Sequence, residues 1–159
     1  MIRKLEEEVG KLLSKDNLTV AVAESITGGL LSEKLTSISG SSEYFIGGVI
    51  AYSYYAKERL LNVPYSLIEK YGAISKETVE LLAKNVSRIF MTDIGLSVSG
   101  NAGPISQENK PVGLVYIGIY FKGFSTVSEE HFSGNRAQIR KQACNKILER
   151  LLEILQGGK

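Results

Sequence analysis

Apolar residues along this chain recur with two periods, one helical and one strand-like, and the alternation between them divides the sequence into elements. In residues 1–14, Ile2, Leu5, Val9, Leu12 and Leu13 stand three or four apart with Arg3, Lys4, Glu6, Glu7 and Lys11 between them, which predicts an amphipathic helix. After the turn Lys15-Asp16-Asn17, the run Leu18 to Ala23 is short and largely apolar, which predicts a strand covered on both faces. Helical spacing returns from about Gly29 to Ser37 with Leu30, Leu31 and Leu35, and Ser39-Gly40-Ser41-Ser42 closes it as a turn. Aromatic and β-branched residues from Tyr44 to Tyr52 predict a second strand, whose pair Gly47-Gly48 predicts a bulge or a close backbone approach.

Tyr55 to Leu61 reads as a helix, and Pro64 opens a short segment that stops at Gly72. Ser75 is a natural N-cap for a longer helix with Val79, Leu82, Ala83, Val86, Ile89 and Phe90 on one face. Asp93 to Gly100 is a third strand, and it runs into a polar loop extending to Pro111 that is long enough to be expected at the border of a site. Gly113–Phe121 and Ser125–Phe132, joined by Lys122-Gly123, predict an antiparallel hairpin. A last helix covers about Arg136 to Leu155 with a stripe of Ile139, Ala143, Ile147 and Leu151, and the tail from Gln156 to Lys159 is expected to fray. Strands and helices alternate and then give way to a hairpin and a helix. The expected architecture is one α/β domain over residues 1–159, a three-layer α/β/α arrangement with a mixed, partly parallel sheet.

Composition narrows the function. The 159 residues carry 19 basic and 17 acidic side chains, a formal charge of +2 with no block of like charge, so neither nucleic acid nor a membrane surface is an expected partner. No apolar run approaches a membrane span, and Met1–Glu8 lacks the apolar core of a signal peptide, so a cytoplasmic protein with a small-molecule partner is expected. One histidine, His131, and one cysteine, Cys144, leave no Cys/His zinc cluster, and Cys144 within a helix suggests buried packing. His131 falls on a polar strand, where an ordinary surface or hydrogen-bonding role is expected. Covalent hydrolase chemistry would then use serine, threonine or carboxylate as nucleophile, with lysine, carboxylate, tyrosine or His131 as base.

One junction suits such chemistry. In Val22-Ala23-Glu24-Ser25-Ile26-Thr27-Gly28-Gly29 a strand enters a turn that opens a helix, where backbone N–H groups and the macrodipole favour an anion or a developing oxyanion. Ser25 or Thr27 could equally be an N-cap. Lys57 falls in the first turns of its helix, against the dipole, where a solvated lysine is a ready explanation; Arg136 and Arg140 do the same in theirs, and a nearby anion or simple solvation would account for them.

Three stretches together resemble a known family: A-E-S-I-T-G-G at 23–29, G-G-V-I-A-Y-S-Y-Y-A-K at 47–57, and S-G-N-A-G-P at 99–104 followed by K-P-V-G at 110–113. They are similar to the CinA C-terminal domain, whose enzymatic members are nicotinamide-nucleotide amidases. Weaker likenesses at Gly40–Ser42, Tyr71–Ser75 and Phe132–Arg136 follow in the family's order, so the resemblance extends over nearly the whole chain. It implies hydrolysis of nicotinamide mononucleotide to nicotinic acid mononucleotide and ammonia, with no metal or other cofactor, in a homo-oligomer. Carried onto this sequence, the resemblance makes Ser25 the nucleophile, with Lys57 and Tyr52 assisting. Thr27, Gly28 and Gly29 are candidates for oxyanion stabilisation, and Gly100, Asn101, Ala102, Gly103, Lys110 and Arg136 for binding the mononucleotide. The sequence departs from the family's usual pattern at Tyr54-Tyr55, at Asn101, at Ile105-Ser106 and at Asn135. The alternative these departures raise is a mononucleotide-binding regulatory protein with little or no turnover.

Overall fold

A computed structural model describes residues 4–157. The first helix, α1, covers Leu5–Lys15, and the beginning of the predicted helix at residues 1–3 lies outside the described residues, as does the end of the tail at 158–159. The predicted strands and helices are present, their ends displaced by one or two residues: β1 (Val20–Glu24), α2 (Leu30–Thr36), β2 (Phe45–Ile50), α3 (Tyr54–Leu61), α4 (Tyr65–Tyr71), α5 (Lys76–Phe90), β3 (Ile94–Gly100), β4 (Leu114–Phe121), β5 (Phe124–His131) and α6 (Arg136–Leu155). A 3₁₀ turn at Ser41–Glu43 replaces part of the open turn expected there. Caps explain several boundaries. Ser53, Ser75 and Asn135 each accept a backbone N–H in the first turn of α3, α5 and α6, and Asn135 and Gln138 complete a reciprocal capping box.

The five strands form one sheet in the order β2-β1-β3-β4-β5. β1 is parallel to both β2 and β3, whereas β4 and β5 are added antiparallel, so the sheet is mixed as expected. Alternation along β1 sorts side chains between two layers. Val20 and Val22 join the core formed with Leu13, Leu31 and Ile147 of α1, α2 and α6, while Ala21 and Ala23 face Leu61, Ile68 and Leu82 of α3, α4 and α5. The structure is therefore an α/β fold of three layers.

Helix α5 lies unusually close to the sheet, and small residues on β3 and β4 make this possible. A Cβ at Gly95 would collide with the Ala83 carbonyl oxygen, and one at Gly118 with that of Val79. Ser97, between them on the same face, donates to the Val79 carbonyl 2.5 Å away. On β2 the glycine pair does both things expected of it. The register against β1 shifts between Val20 and Ala21, and Gly47 and Gly48 let Phe90 and Val22 approach where a Cβ would collide with them. Cys144 is fully buried, and burial pushes its thiol up to about 12, so it packs rather than reacts. His131 is exposed and pairs with Glu129 at 2.8 Å. No helix among the described residues is long and apolar enough to cross a membrane.

The strand order places β1 between two parallel neighbours whose connections leave on opposite faces: β1 leads into α2 on one face, and β2 leads into α3–α5 on the other. A crevice outside the carboxyl ends of parallel strands at such a reversal is where α/β proteins bind ligands. Here it lies at the ends of β1 and β3, where Ser25 and the loop from Gly100 begin.

Candidate active site

Ser25 is the first residue past β1 and remains tied to the sheet, its N–H donating to the Val98 carbonyl at 3.2 Å. Alternation assigns the two flanking side chains to opposite layers. Glu24 continues the Val20–Val22 face towards α2, and Ser25 continues the Ala21–Ala23 face towards α3. Both side chains meet partners there. The Lys57 ammonium nitrogen, on α3, lies 3.1 Å from Ser25 Oγ and donates to the Ala51 carbonyl at 2.7 Å. Lys57 is only 1% exposed, and no carboxylate lies within ion-pair distance of it among the described residues. Desolvation lowers its pKa from 10.5 to about 8, while the Glu108 carboxylate pulls in the opposite direction. A useful fraction of Lys57 is thus neutral near pH 8, in contact with a serine hydroxyl.

Glu24 was not singled out from the sequence, although it decides what the α2 N-terminus can do. Its fully buried carboxylate accepts the N–H groups of Gly29, Leu31 and Ser32 and the Ser32 hydroxyl, at 2.6–3.1 Å. The N-terminus of α2 therefore already holds its anion. Gly29 N–H is committed to Glu24, and Gly28 N–H donates to the Ser25 carbonyl, so neither glycine is available for an oxyanion as expected from the sequence. Free of partners among the described residues are the N–H groups of Ile26 and Thr27, together with the buried Thr27 hydroxyl. An acidic residue five positions before a glycine-opened helix was the available signal.

A cavity of about 370 Å³ opens in front of Ser25. Its walls are Ser25 and Ile26 on one side, Gly100 to Ile105 and Gln107 on another, and Tyr52 and Arg136 at the mouth. The structure thus gathers Ser25, Tyr52, Gly100, Asn101, Ala102, Gly103 and Arg136, with Lys57 buried behind Ser25. Arg136 donates to the Gly103 carbonyl at 2.8 Å and to the Tyr52 hydroxyl at 3.1 Å, which bridges the cavity mouth. Tyr52 is 60% exposed, and its hydroxyl bonds with Arg136 rather than with Ser25 or Lys57. Asn101 lines the cavity, but its side chain is spent on the loop, donating to the Lys110 carbonyl and accepting Gly103 N–H.

Lys110 is not brought to the cavity. Its ammonium donates to the carbonyls of Tyr71 and Ile74 and to Glu108, and so fastens the loop to the junction between α4 and α5. Glu108 completes this clasp by accepting the N–H groups of Ala73 and Ile74 and the Tyr54 hydroxyl. The Glu108 pKa is lowered despite its partial burial, because these donors and Lys110 outweigh desolvation, and the same bond pushes Tyr54 up to about 12. Glu108→Gln keeps one acceptor oxygen, for either the Ala73 or the Ile74 N–H, and removes the charge felt by Lys57. Since that charge raises the Lys57 pKa, the variant is expected to move the acid limb of any Lys57-dependent rate to lower pH, measured as kcat/KM against pH.

The arrangement can perform nucleophilic acyl chemistry with a serine, a desolvated lysine and a backbone donor at Ile26. Comparison with known proteins agrees with the resemblance read from the motifs. The sequence model of the CinA C-terminal domain matches residues 2–155. A CinA-like protein from Dictyoglomus thermophilum is 49% identical over 137 residues, which cover 86% of this chain and 33% of that protein. The chain spans between 33% and 38% of the length of the first curated relatives it matches. Among solved structures, a CinA superfamily protein from Klebsiella pneumoniae superimposes with a TM-score of 0.94 at 26% identity, covering 98% of this chain and 99% of that one. A competence or damage-inducible protein from Enterobacter asburiae superimposes with a TM-score of 0.93 at 30% identity, covering 95% and 96% of the two chains. With its motifs, fold and length of match in accord, the chain belongs to the CinA C-terminal domain family.

Proposed function

We propose that this chain is a nicotinamide-nucleotide amidase that hydrolyses nicotinamide mononucleotide to nicotinic acid mononucleotide and ammonia. The observation that carries this reading is the fully buried Lys57 nitrogen 3.1 Å from Ser25 Oγ, at the floor of a cavity. A site that only binds a nucleotide has no use for a desolvated amine against a hydroxyl, and burying that amine costs stability. Turnover is therefore favoured over binding alone.

Neutral Lys57 takes the Ser25 hydroxyl proton as Oγ attacks the carboxamide carbon. The carbonyl oxygen becomes an oxyanion and is stabilised by the Ile26 N–H of the turn, a donor worth about 3–4 kcal/mol in the transition state. Collapse breaks the C–N bond, and the proton held by Lys57 leaves with ammonia. A water then attacks the Ser25 ester while Lys57 accepts its proton; the Oγ–C bond breaks as Lys57 returns that proton to Oγ, and the acid departs with Ser25 and neutral Lys57 restored. Tyr52, hydrogen-bonded to Arg136 at the mouth, orients the bound nucleotide in this scheme. The phosphate is assigned to Arg136 and the Gly100–Gly103 wall, since the α2 N-terminus is filled by Glu24.

Ammonia release with identification of the acid product tests the reading. The wild type is expected to turn over nicotinamide mononucleotide and to turn over free nicotinamide, which lacks the ribose phosphate, far more slowly. Arg136→Lys keeps the charge and loses the planar fork, so its KM for the nucleotide is expected to rise about tenfold with a smaller change in kcat. Tight binding of the nucleotide by the wild type without ammonia release would refute an amidase.

A further inference from the structure

Arg140 has no place in the scheme above, yet it makes the most direct side-chain contact with the backbone of the Ser25 turn. From the second turn of α6 its Nε donates to the Ile26 carbonyl at 3.0 Å and its Nη2 to the Thr27 carbonyl at 2.9 Å. No carboxylate lies within ion-pair distance of it among the described residues, so its charge acts on these two peptide oxygens. Gly28 suits the approach: a Cβ there would stand a tight 3.2 Å from Nη2, and its φ of +56° favours glycine.

Peptide planarity turns these two bonds into an orientation of N–H groups. In a trans peptide the C=O and N–H point in opposite directions, so holding the Ile26 carbonyl on Arg140 sends the Thr27 N–H away from α6. Holding the Thr27 carbonyl likewise directs the Gly28 N–H, which donates to the Ser25 carbonyl at 3.1 Å and closes the turn. With the Ser25 carbonyl turned inward, the Ile26 N–H points outward. Ile26 and Thr27 are the two residues of the turn whose N–H groups are without partners among the described residues; Thr27 is fully buried and does not line the cavity, whereas Ile26 lines it beside Ser25. A guanidinium bound to the carbonyl of a peptide also polarises that peptide and strengthens its N–H as a donor.

We propose that Arg140 is a positioning residue, which acts through the Thr27 carbonyl and the Gly28 N–H to fix the Ile26 N–H as the oxyanion-stabilising donor beside Ser25. This rests on the reading of Ser25 as an acyl-transfer nucleophile. It assigns the stabilising role to the amide directly after the nucleophile rather than to the glycines, and places control of it on a helix more than a hundred residues away in sequence.

Arg140→Gln and Arg140→Lys test this by two readouts. With nicotinamide mononucleotide, kcat of Arg140→Gln is expected to fall about 10²-fold with KM little changed, as for loss of a transition-state interaction, while the acid limb set by Lys57 keeps its position. Arg140→Lys, which reaches one carbonyl at a time, recovers part of the loss. The second readout is labelling of Ser25 by a small fluorophosphonate. The Oγ–P bond forms as fluoride leaves, and the phosphoryl oxygen takes the oxyanion's position. Labelling is expected to slow in step with kcat. If the wild type labels at Ser25 and the variants label slowly, yet no ammonia is released from the nucleotide, the amidase reading falls and the role of Arg140 stands. Labelling and kcat within about twofold of wild type in Arg140→Gln overturn the proposal. Should Arg140→Gln fail to fold, as seen by circular dichroism, the same comparison on Arg140→Lys decides.

Discussion

Replacing Lys57 by methionine is expected to lower kcat by about 10²–10⁴-fold and, at the same time, to remove a pH-dependent weakness of the fold. The ammonium of Lys57 is buried without a carboxylate partner, so its pKa falls from 10.5 in the unfolded chain to about 8 in the native one. At pH 7 both states are protonated, and the native state bears the full cost of the buried charge, about 3 kcal/mol at 1.36 kcal/mol per pKa unit. Between about pH 8 and 10.5 the native lysine is neutral while the unfolded one still holds its proton. The unfolded state then binds more protons, and wild-type stability rises with pH through this window. The thioether of Lys57→Met cannot titrate. Subtracting the unfolding free energies of the variant from those of the wild type at pH 7 and pH 10 isolates this contribution, because tyrosines and other lysines cancel. The wild type is expected to gain on the variant across that interval, by an amount approaching 3 kcal/mol. An equal pH dependence in the two proteins would mean that Lys57 keeps an ordinary pKa and is a poor general base.

In the proposed reaction the same residue sets the pH dependence of turnover. A neutral lysine acting as base gives a kcat/KM that rises with pH and levels off above about 8, the pKa of the free protein. Stability and activity thus change together around one group, as expected where an active site retains an arrangement the fold would otherwise not tolerate.

The layers of the fold were legible because they depend on local period. The two-residue alternation of β1 and the helical stripes of α5 and α6 were each contained in a few turns of sequence, and caps such as Ser75 marked boundaries through a single side chain. Ser25 was legible as a site because a strand, a turn and a helix meet there. Its pairing with Lys57 followed from family resemblance rather than from spacing, since a lysine in the first turns of a helix is as readily solvated as buried. What escaped was the set of interactions that join distant segments. Glu108 meets Ala73 and Ile74 across 35 and 34 positions, and Arg140 meets Ile26 across 114, with no local pattern announcing either. The glycines after Thr27 illustrate the limit from the other side. Their sequence suggested free N–H groups at a helix start, but Glu24, one residue before the proposed nucleophile, reaches round to satisfy that helix.

This use of Glu24 separates two kinds of anion in the site. The Glu24 carboxylate occupies the α2 N-terminus, and in the proposed reaction the transient oxyanion is left to the Ile26 N–H. In the proposed reaction the phosphate of the nucleotide has neither place and is assigned to Arg136, apart from the Glu24 carboxylate.

The proposed function stands or falls on attack by Ser25 at the carboxamide of nicotinamide mononucleotide, and Ser25→Ala is the decisive variant. The substitution removes one oxygen and leaves Lys57 bonded to the Ala51 carbonyl, so the fold and the cavity are expected to persist. Rate loss on removing a serine nucleophile is about 10⁴–10⁶-fold, since the remaining donors and binding groups retain only a residual acceleration. Ammonia released from nicotinamide mononucleotide should therefore be stoichiometric with nicotinic acid mononucleotide for the wild type and fall to background for Ser25→Ala, with nucleotide affinity preserved. Ammonia release by Ser25→Ala at a rate close to that of the wild type would show that Ser25 is not the nucleophile.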